Sequence, residues 1–222
     1  DSSCGACCKV DCALCYGAQR STTRHRHRRG PPMSHPEESP SPVMLAAAAA
    51  VFYLVMGLVG VGAITLQGLT PKLVIFGEGG ALLRDAAVGA LAGLAVVGLT
   101  RLAWGLDAVR KLNDEMRTIL GDPGTSAITV LAVTSAIGEE LLFRGALQPM
   151  LGFVPTAVIF GLLHGGFQAK FRLWAVFALL AGLLLGALTL WTDNLLAALL
   201  CHMTVNYFNL HKMVEADTRG AR

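Results

Sequence analysis

Apolar residues in this chain fall in long blocks separated by short polar breaks, which is how several membrane spans are written. Residues 43–66 are almost unbroken in apolar character and exceed the roughly 20 that a membrane helix needs, so they predict a first span. Residues 67–85, with Pro71 and a glycine-rich turn at 77–80, read as a loop. Residues 86–104 predict a second span, with Arg101 near enough its end to snorkel to the headgroups.

From 105 to 120 the pattern changes to an amphipathic one. Leu106, Val109, Leu112, Met116, Ile119 and Leu120 share one helical face while Arg110, Lys111, Asp114, Glu115 and Arg117 take the other, which predicts a helix lying on the membrane surface. A Pro-containing turn at 121–124 ends it. Residues 125–148 predict a third membrane helix, apolar at first and then carrying Glu139, Glu140 and Arg144, and 149–155 read as a tight connection. Residues 156–167 are apolar but too short to cross alone, so this segment is tilted, extended through 168–171, or partly re-entrant. Residues 173–191 and 195–213 predict the fifth and sixth spans, the fifth with Ala181, Gly182, Gly186 and Ala187 allowing close helix approach. The expected fold is all-α, a polytopic bundle of about six membrane helices plus one interfacial amphipathic helix.

Composition agrees with the pattern: of 222 residues 54% are hydrophobic and only 15% charged. A net charge of +3 gives no reason to expect a nucleic-acid partner. Position matters more than sum. Arg101, Arg110, Lys111 and Arg117, then Lys170 and Arg172, then Lys212, Arg219 and Arg222 occupy alternate loops, while only Lys72 and Arg84 occur between them. With six crossings, that asymmetry predicts a multi-pass protein of a bacterial plasma membrane with both termini cytoplasmic.

The polar head, residues 1–42, is unlike the rest. Cys4, Cys7, Cys8, Cys12 and Cys15 lie together ahead of an alternating Arg/His run at 24–29. Two C-x2-C pairs can chelate zinc. The favoured expectation is instead that residues 1–32 are not native and that Met33 opens a short polar leader. No secretory signal is expected, because the first apolar block is too long for a signal core. The membrane-embedded unit is expected over 43–213, with its motif core at 125–209, and a short polar tail over 214–222.

Ionisable groups inside apolar helices cost about 2.5 to 3.5 kcal/mol each at mid-helix, so they usually face a protein interior and mark function. Three helices carry them here. Glu140 and Arg144 are four apart and can pair, with Glu139 about one helical step aside; His164 stands one turn after Phe160; His202 and Asn206 are again four apart. Glu140 is eight residues before Gln148, His164 nine after Pro155 and His202 eight after Asn194, so all three lie roughly 12 to 14 Å from one face. They can meet at one level, and the charge pattern places that level nearer the extracytoplasmic side.

The segments EELLFR at 139–144, FGLLH at 160–164 and HMTVN at 202–206 resemble the EExxxR, FxxxH and HxxxN motifs of the CAAX-protease and bacteriocin-processing family, which includes the type II CAAX prenyl endopeptidases. The resemblance implies a glutamate-dependent intramembrane endopeptidase with no cofactor. In it Glu139 is the general base, His164 holds the water, His202 and Asn206 stabilise the oxyanion, and Glu140 with Arg144 supports the site. Its partners are a protein or peptide substrate in or at the membrane and the lipid bilayer; the substrate is a C-terminal processing or sorting signal, or a CAAX-type sequence.

Two other readings stay open on the residues. His164, His202 and a glutamate can bind zinc, although there is no H-E-x-x-H and Asn206 is a poor zinc ligand. A non-catalytic immunity or scaffold member, or a proton-relay transporter, would carry the same groups; the short helices show no inverted repeat of the kind many transporters have. Cys201 beside His202 is expected to be a packing residue rather than a nucleophile, and His211 to be interfacial.

Overall fold

The computed structural model describes residues 41–78 and 81–220, with side chains through 215. The Cys-rich head, the Met33 leader and the polar tail beyond 215 therefore lie outside the described side chains. Among the described residues there is no strand. Nine α-helices are labelled in chain order: α1 Pro42–Leu66, α2 Pro71–Phe76, α3 Leu82–Ala103, α4 Asp107–Leu120, α5 Thr125–Glu139, α6 Gln148–Leu151, α7 Phe153–Gly161, α8 Arg172–Thr192 and α9 Leu196–Gly220. Two π-helical segments, Glu140–Leu147 and Leu162–Gly166, interrupt the third and fourth of the predicted helices.

By length and composition four helices are able to cross a membrane: α1, α3, the continuous Thr125–Leu151 rod, and Ala169–Thr192. Phe153–Gly166 is shorter, as the sequence indicates. α9 is long enough but carries His202, Asn206, Asn209, His211 and Lys212, which dilute its apolar character. The outer surface is apolar in the way lipid requires: Leu58 and Leu66 on α1, Leu83 and Leu102 on α3, and Leu190 and Trp191 on α8 are all exposed.

Two expected boundaries move, both at prolines. The predicted loop at 67–85 contains α2, whose first turn holds Pro71, and α3 starts at Leu82. The expected connection at 149–155 is also shorter, because the third helix runs through Pro149 to Leu151 and stops at Gly152. A proline in a first helical turn lacks only an N–H that has no intrahelical partner there, so Pro71 starts a helix rather than breaking one, whereas Pro149 is carried in the last turn of the continuous Thr125–Leu151 rod, directly after the π-helical segment.

Helices approach through small residues. α3 buries Asp85, Gly89, Gly93 and Val97, a stripe at every fourth position laid against α9. α1 buries Gly57, Gly60 and Ile64 toward α5 and the first π-helical segment. Gly182 on α8 lies against Ala157 of α7. α4 buries no residue, in keeping with a surface helix.

The α8–α9 turn is stapled by a polar network. Asn194 donates to Asp85 Oδ2 at 2.7 Å and to the Thr192 carbonyl at 2.8 Å, and its Oδ1 accepts from Leu196 N at 2.9 Å. Arg84 Nε supplies Asp85 Oδ1 at 2.9 Å. Cys201 is buried in an apolar cluster with Leu185, Leu188, Ala197 and Ala198. His211 stacks on Tyr207 with ring centroids 4.4 Å apart.

Candidate active site

The site is built where α-helical geometry fails. In a regular helix neighbouring residues point about 100° apart, so Glu139 and Glu140 should serve different partners. At that point α5 passes into the π-helical segment Glu140–Leu147, a widened geometry common at functional sites. One imidazole on α9 then spans both carboxylates. His202 Nδ1 lies 2.7 Å from Glu140 Oε1, while its Nε2 is 3.6 Å from Glu139 Oε2.

Glu140 Oε1 also accepts from Arg144 Nη1 at 2.9 Å. Glu140 is fully buried at 0% and Arg144 at 2% relative exposure, so this pair compensates two charges that would otherwise be very costly inside the bundle. Phe160 completes the support. Its ring lies 4.3 Å from the Arg144 guanidinium carbon, 4.3 Å from the His164 ring centroid and 6.2 Å from that of His202.

His164 sits in the second π-helical segment, where the chain leaves helical geometry: its ψ is 35° and the next residue, Gly165, has φ 90°. Only glycine adopts that conformation without strain, and a Cβ at Gly165 would come 2.7 Å from Phe171 Cβ. His164 Nδ1 is 2.7 Å from the Phe160 carbonyl oxygen. A carbonyl only accepts, so Nδ1 carries the proton and Nε2 of the neutral ring is left as an acceptor. That Nε2 faces Glu139 Oε2 at 3.8 Å, and the Trp174 ring stands edge-on to the imidazole at 5.1 Å.

Glu139 is 5% exposed and its Oε2, between the two imidazoles, is buried without a hydrogen-bond partner among the described residues. Asn206, one turn along α9 from His202, donates one amide hydrogen to Ser135 Oγ at 3.0 Å. His164, His202 and Asn206 border a cavity of about 50 Å³, whose other walls include Val96, Phe177, Ala181, Leu185 and Cys201. The arrangement offers two imidazoles and an amide on the wall of one small space, with the bare Glu139 oxygen within 3.8 Å of both imidazoles. Among the described residues no group of three His, Cys, Asp or Glu side chains is placed to hold a metal ion.

Glu139, Glu140, Arg144, His164 and His202 thus converge at one level, with Asn206 beside them. Two contributors lie outside those six residues: Phe160 as a support and Ser135 as the partner of Asn206. Ser135 is legible in hindsight, since it stands four residues before Glu139 on the same helix.

Comparison with known proteins finds one family model that spans all three motif segments. Residues 123–208 match the family described as type II CAAX prenyl endopeptidase Rce1-like, which bears out the resemblance drawn from the motifs. The uncharacterized protein YpbD of Bacillus subtilis is 33% identical over 81 residues, a match covering 36% of this chain and 41% of the relative. The match therefore spans less than half the length of that relative. No solved structure matches the chain.

Proposed function

We propose that this membrane protein is an intramembrane endopeptidase that hydrolyses a peptide bond near a membrane surface with a glutamate-activated water. The observation that carries the reading is Glu139 Oε2, buried and unpartnered, aimed between His164 Nε2 at 3.8 Å and His202 Nε2 at 3.6 Å. A water between Glu139 Oε2 and His164 Nε2 meets two acceptors, so it donates both hydrogens and turns a lone pair toward a substrate carbonyl. Attack forms the C–O bond and moves one water proton to Glu139. The same proton then passes to the departing amine as the C–N bond breaks.

The oxyanion of the tetrahedral intermediate needs donors. Asn206 has its second amide hydrogen for this task, the first being held by Ser135. His202 presents Nε2–H only when doubly protonated, and the Glu140 carboxylate at its Nδ1 is the counterion for that form. With Glu139, Glu140, Arg144 and such a His202, the buried charges sum to zero. Glu140 and Arg144 orient His202 rather than touch substrate.

The family match brings a CAAX-type C-terminus forward as one substrate, beside other C-terminal processing or sorting signals. Comparative terminal proteomics of membranes from cells carrying wild-type or Glu139→Ala protein tests the reading. Cleaved termini that vanish with the variant support it and identify the substrate; identical sets of termini overturn it.

A zinc-dependent reading has one observation in its favour. Both His164 and His202 hand their Nδ1 protons to an oxygen acceptor, as metal-bound histidines do. The glutamate reading stands ahead because the three side chains do not close as a ligand set. Activity surviving strong chelator is the expected result, and activity lost to chelator and restored by zinc reverses the choice.

A further inference from the structure

Ser135 is the one hydroxyl among the buried residues of α5, and none of the three motifs contains it. A hydroxyl inside a helix ordinarily returns its hydrogen to a carbonyl of the preceding turn, and Ser135 does so, donating to the Ala132 carbonyl at 3.3 Å. A serine has only that one hydrogen. With it on a carbonyl, Oγ can offer a neighbour nothing but its lone pairs. Asn206 Nδ2 meets them at 3.0 Å across the contact between α5 and α9.

An asparagine side chain has a donor end and an acceptor end, and the torsion that exchanges them is broad and roughly two-fold. Asn206 is half-buried on the wall of the small cavity. With Nδ2 held at Ser135, one amide hydrogen lies on Oγ and the direction of the other is fixed by the plane of the amide. Reversal would put Oδ1 in the place of Nδ2, with a lone pair where that second hydrogen stands. A lone pair there repels an oxyanion that the hydrogen would stabilise. A hydroxyl free to donate would accept either orientation; Ser135 accepts one, because its own hydrogen is committed to Ala132.

We propose that Ser135 is a positioning residue of this site: it holds the Asn206 amide donor-end inward from α5, so that the second hydrogen of Nδ2 stays available to the oxyanion. This assignment rests on the glutamate-activated hydrolysis described above. It gives α5 two tasks one turn apart, since Ser135 and Glu139 are four residues apart on the same face. The carboxylate that activates water and the donor that meets the oxyanion are thereby registered against each other by a single helix.

The first test uses the full-length protein in detergent and needs no substrate. Asparagine occurs at four positions, 113, 194, 206 and 209, so 15N in the side-chain amide gives a sparse NMR spectrum, in which loss of signal in Asn206→Ala identifies the Asn206 pair. That pair is expected to move in Ser135→Ala and to stay in Ser126→Ala, an exposed serine of the same helix. Signals unmoved in Ser135→Ala overturn the proposal. In cells, Ser135→Ala is expected to lower cleaved termini about 10- to 100-fold while resistance to denaturing detergent stays at wild type. Wild-type cleavage despite moved signals overturns the positioning role, as does a fall in cleavage matched by an equal loss of folded protein. Should Glu139→Ala remove no termini, it is the proteolytic reading that fails, and the spectrum still decides whether Ser135 holds the Asn206 amide.

Discussion

The Asp85–Asn194 network and the Glu139–Glu140 cluster are both polar groups buried among apolar helices, yet one is closed and the other is not. Asp85 has a donor on each oxygen, and every nitrogen and oxygen of the Asn194 side chain is engaged. In the other cluster Glu139 Oε2, Glu140 Oε2 and Arg144 Nη2 are buried without a partner among the described residues. Buried polar atoms in native proteins are nearly always satisfied, and low dielectric makes the exceptions expensive. A closed network is a staple; an open one leaves polar atoms available to whatever enters the cluster.

That contrast can be broken by experiment. The largest effect is expected for Glu139→Gln, which keeps shape and volume: cleaved termini should fall about 100- to 10,000-fold, while resistance to denaturing detergent stays at wild type. A fall in stability of equal size would make the open cluster structural. Arg144→Leu should do the opposite, lowering unfolding free energy by about 3 to 5 kcal/mol in a detergent titration because Glu140 is left as an unpaired buried charge. Asp85→Ala should cost about 1 to 3 kcal/mol by the same titration, with cleavage per folded molecule unchanged. Loss of cleavage without loss of stability in that variant would erase the distinction between the networks. The smallest change belongs to Lys170→Ala, which removes an exposed pair with Glu115 and should shift stability by less than about 1 kcal/mol.

The helices were legible because lipid imposes a pattern: blocks such as 43–66 admit almost no reading but a span, and α1 occupies Pro42–Leu66. The level of Glu140, His164 and His202 was legible from counting residues to a common face, since rise per residue is fixed. What counting missed is the change of pitch. A π-helical turn leaves no mark in hydropathy, so the sequence pattern turns Glu139 aside from Glu140, whereas His202 spans both. Pro71 reads as part of a loop because a first-turn proline and a loop proline are the same letter, and Pro149 reads as the start of a connection although the helix carries it for one last turn. The close approach of α1 was silent for another reason: the glycines at 57, 60 and 138 let its backbone lie against the start of the π-helical segment, and small residues in an apolar block leave no such mark.

The cavity beside the histidines has a consequence for supply rather than for catalysis. At about 50 Å³ it has room for roughly three to five waters, of which only those near His164, His202 and Asn206 find polar partners. Under the proposed hydrolysis each bond cut would consume one molecule of that stock inside a bundle whose outer surface is apolar. Turnover would then depend on replenishment as well as on the barrier to attack. A substrate filling the apolar walls at Ala181 and Leu185 would also displace part of the reagent it needs.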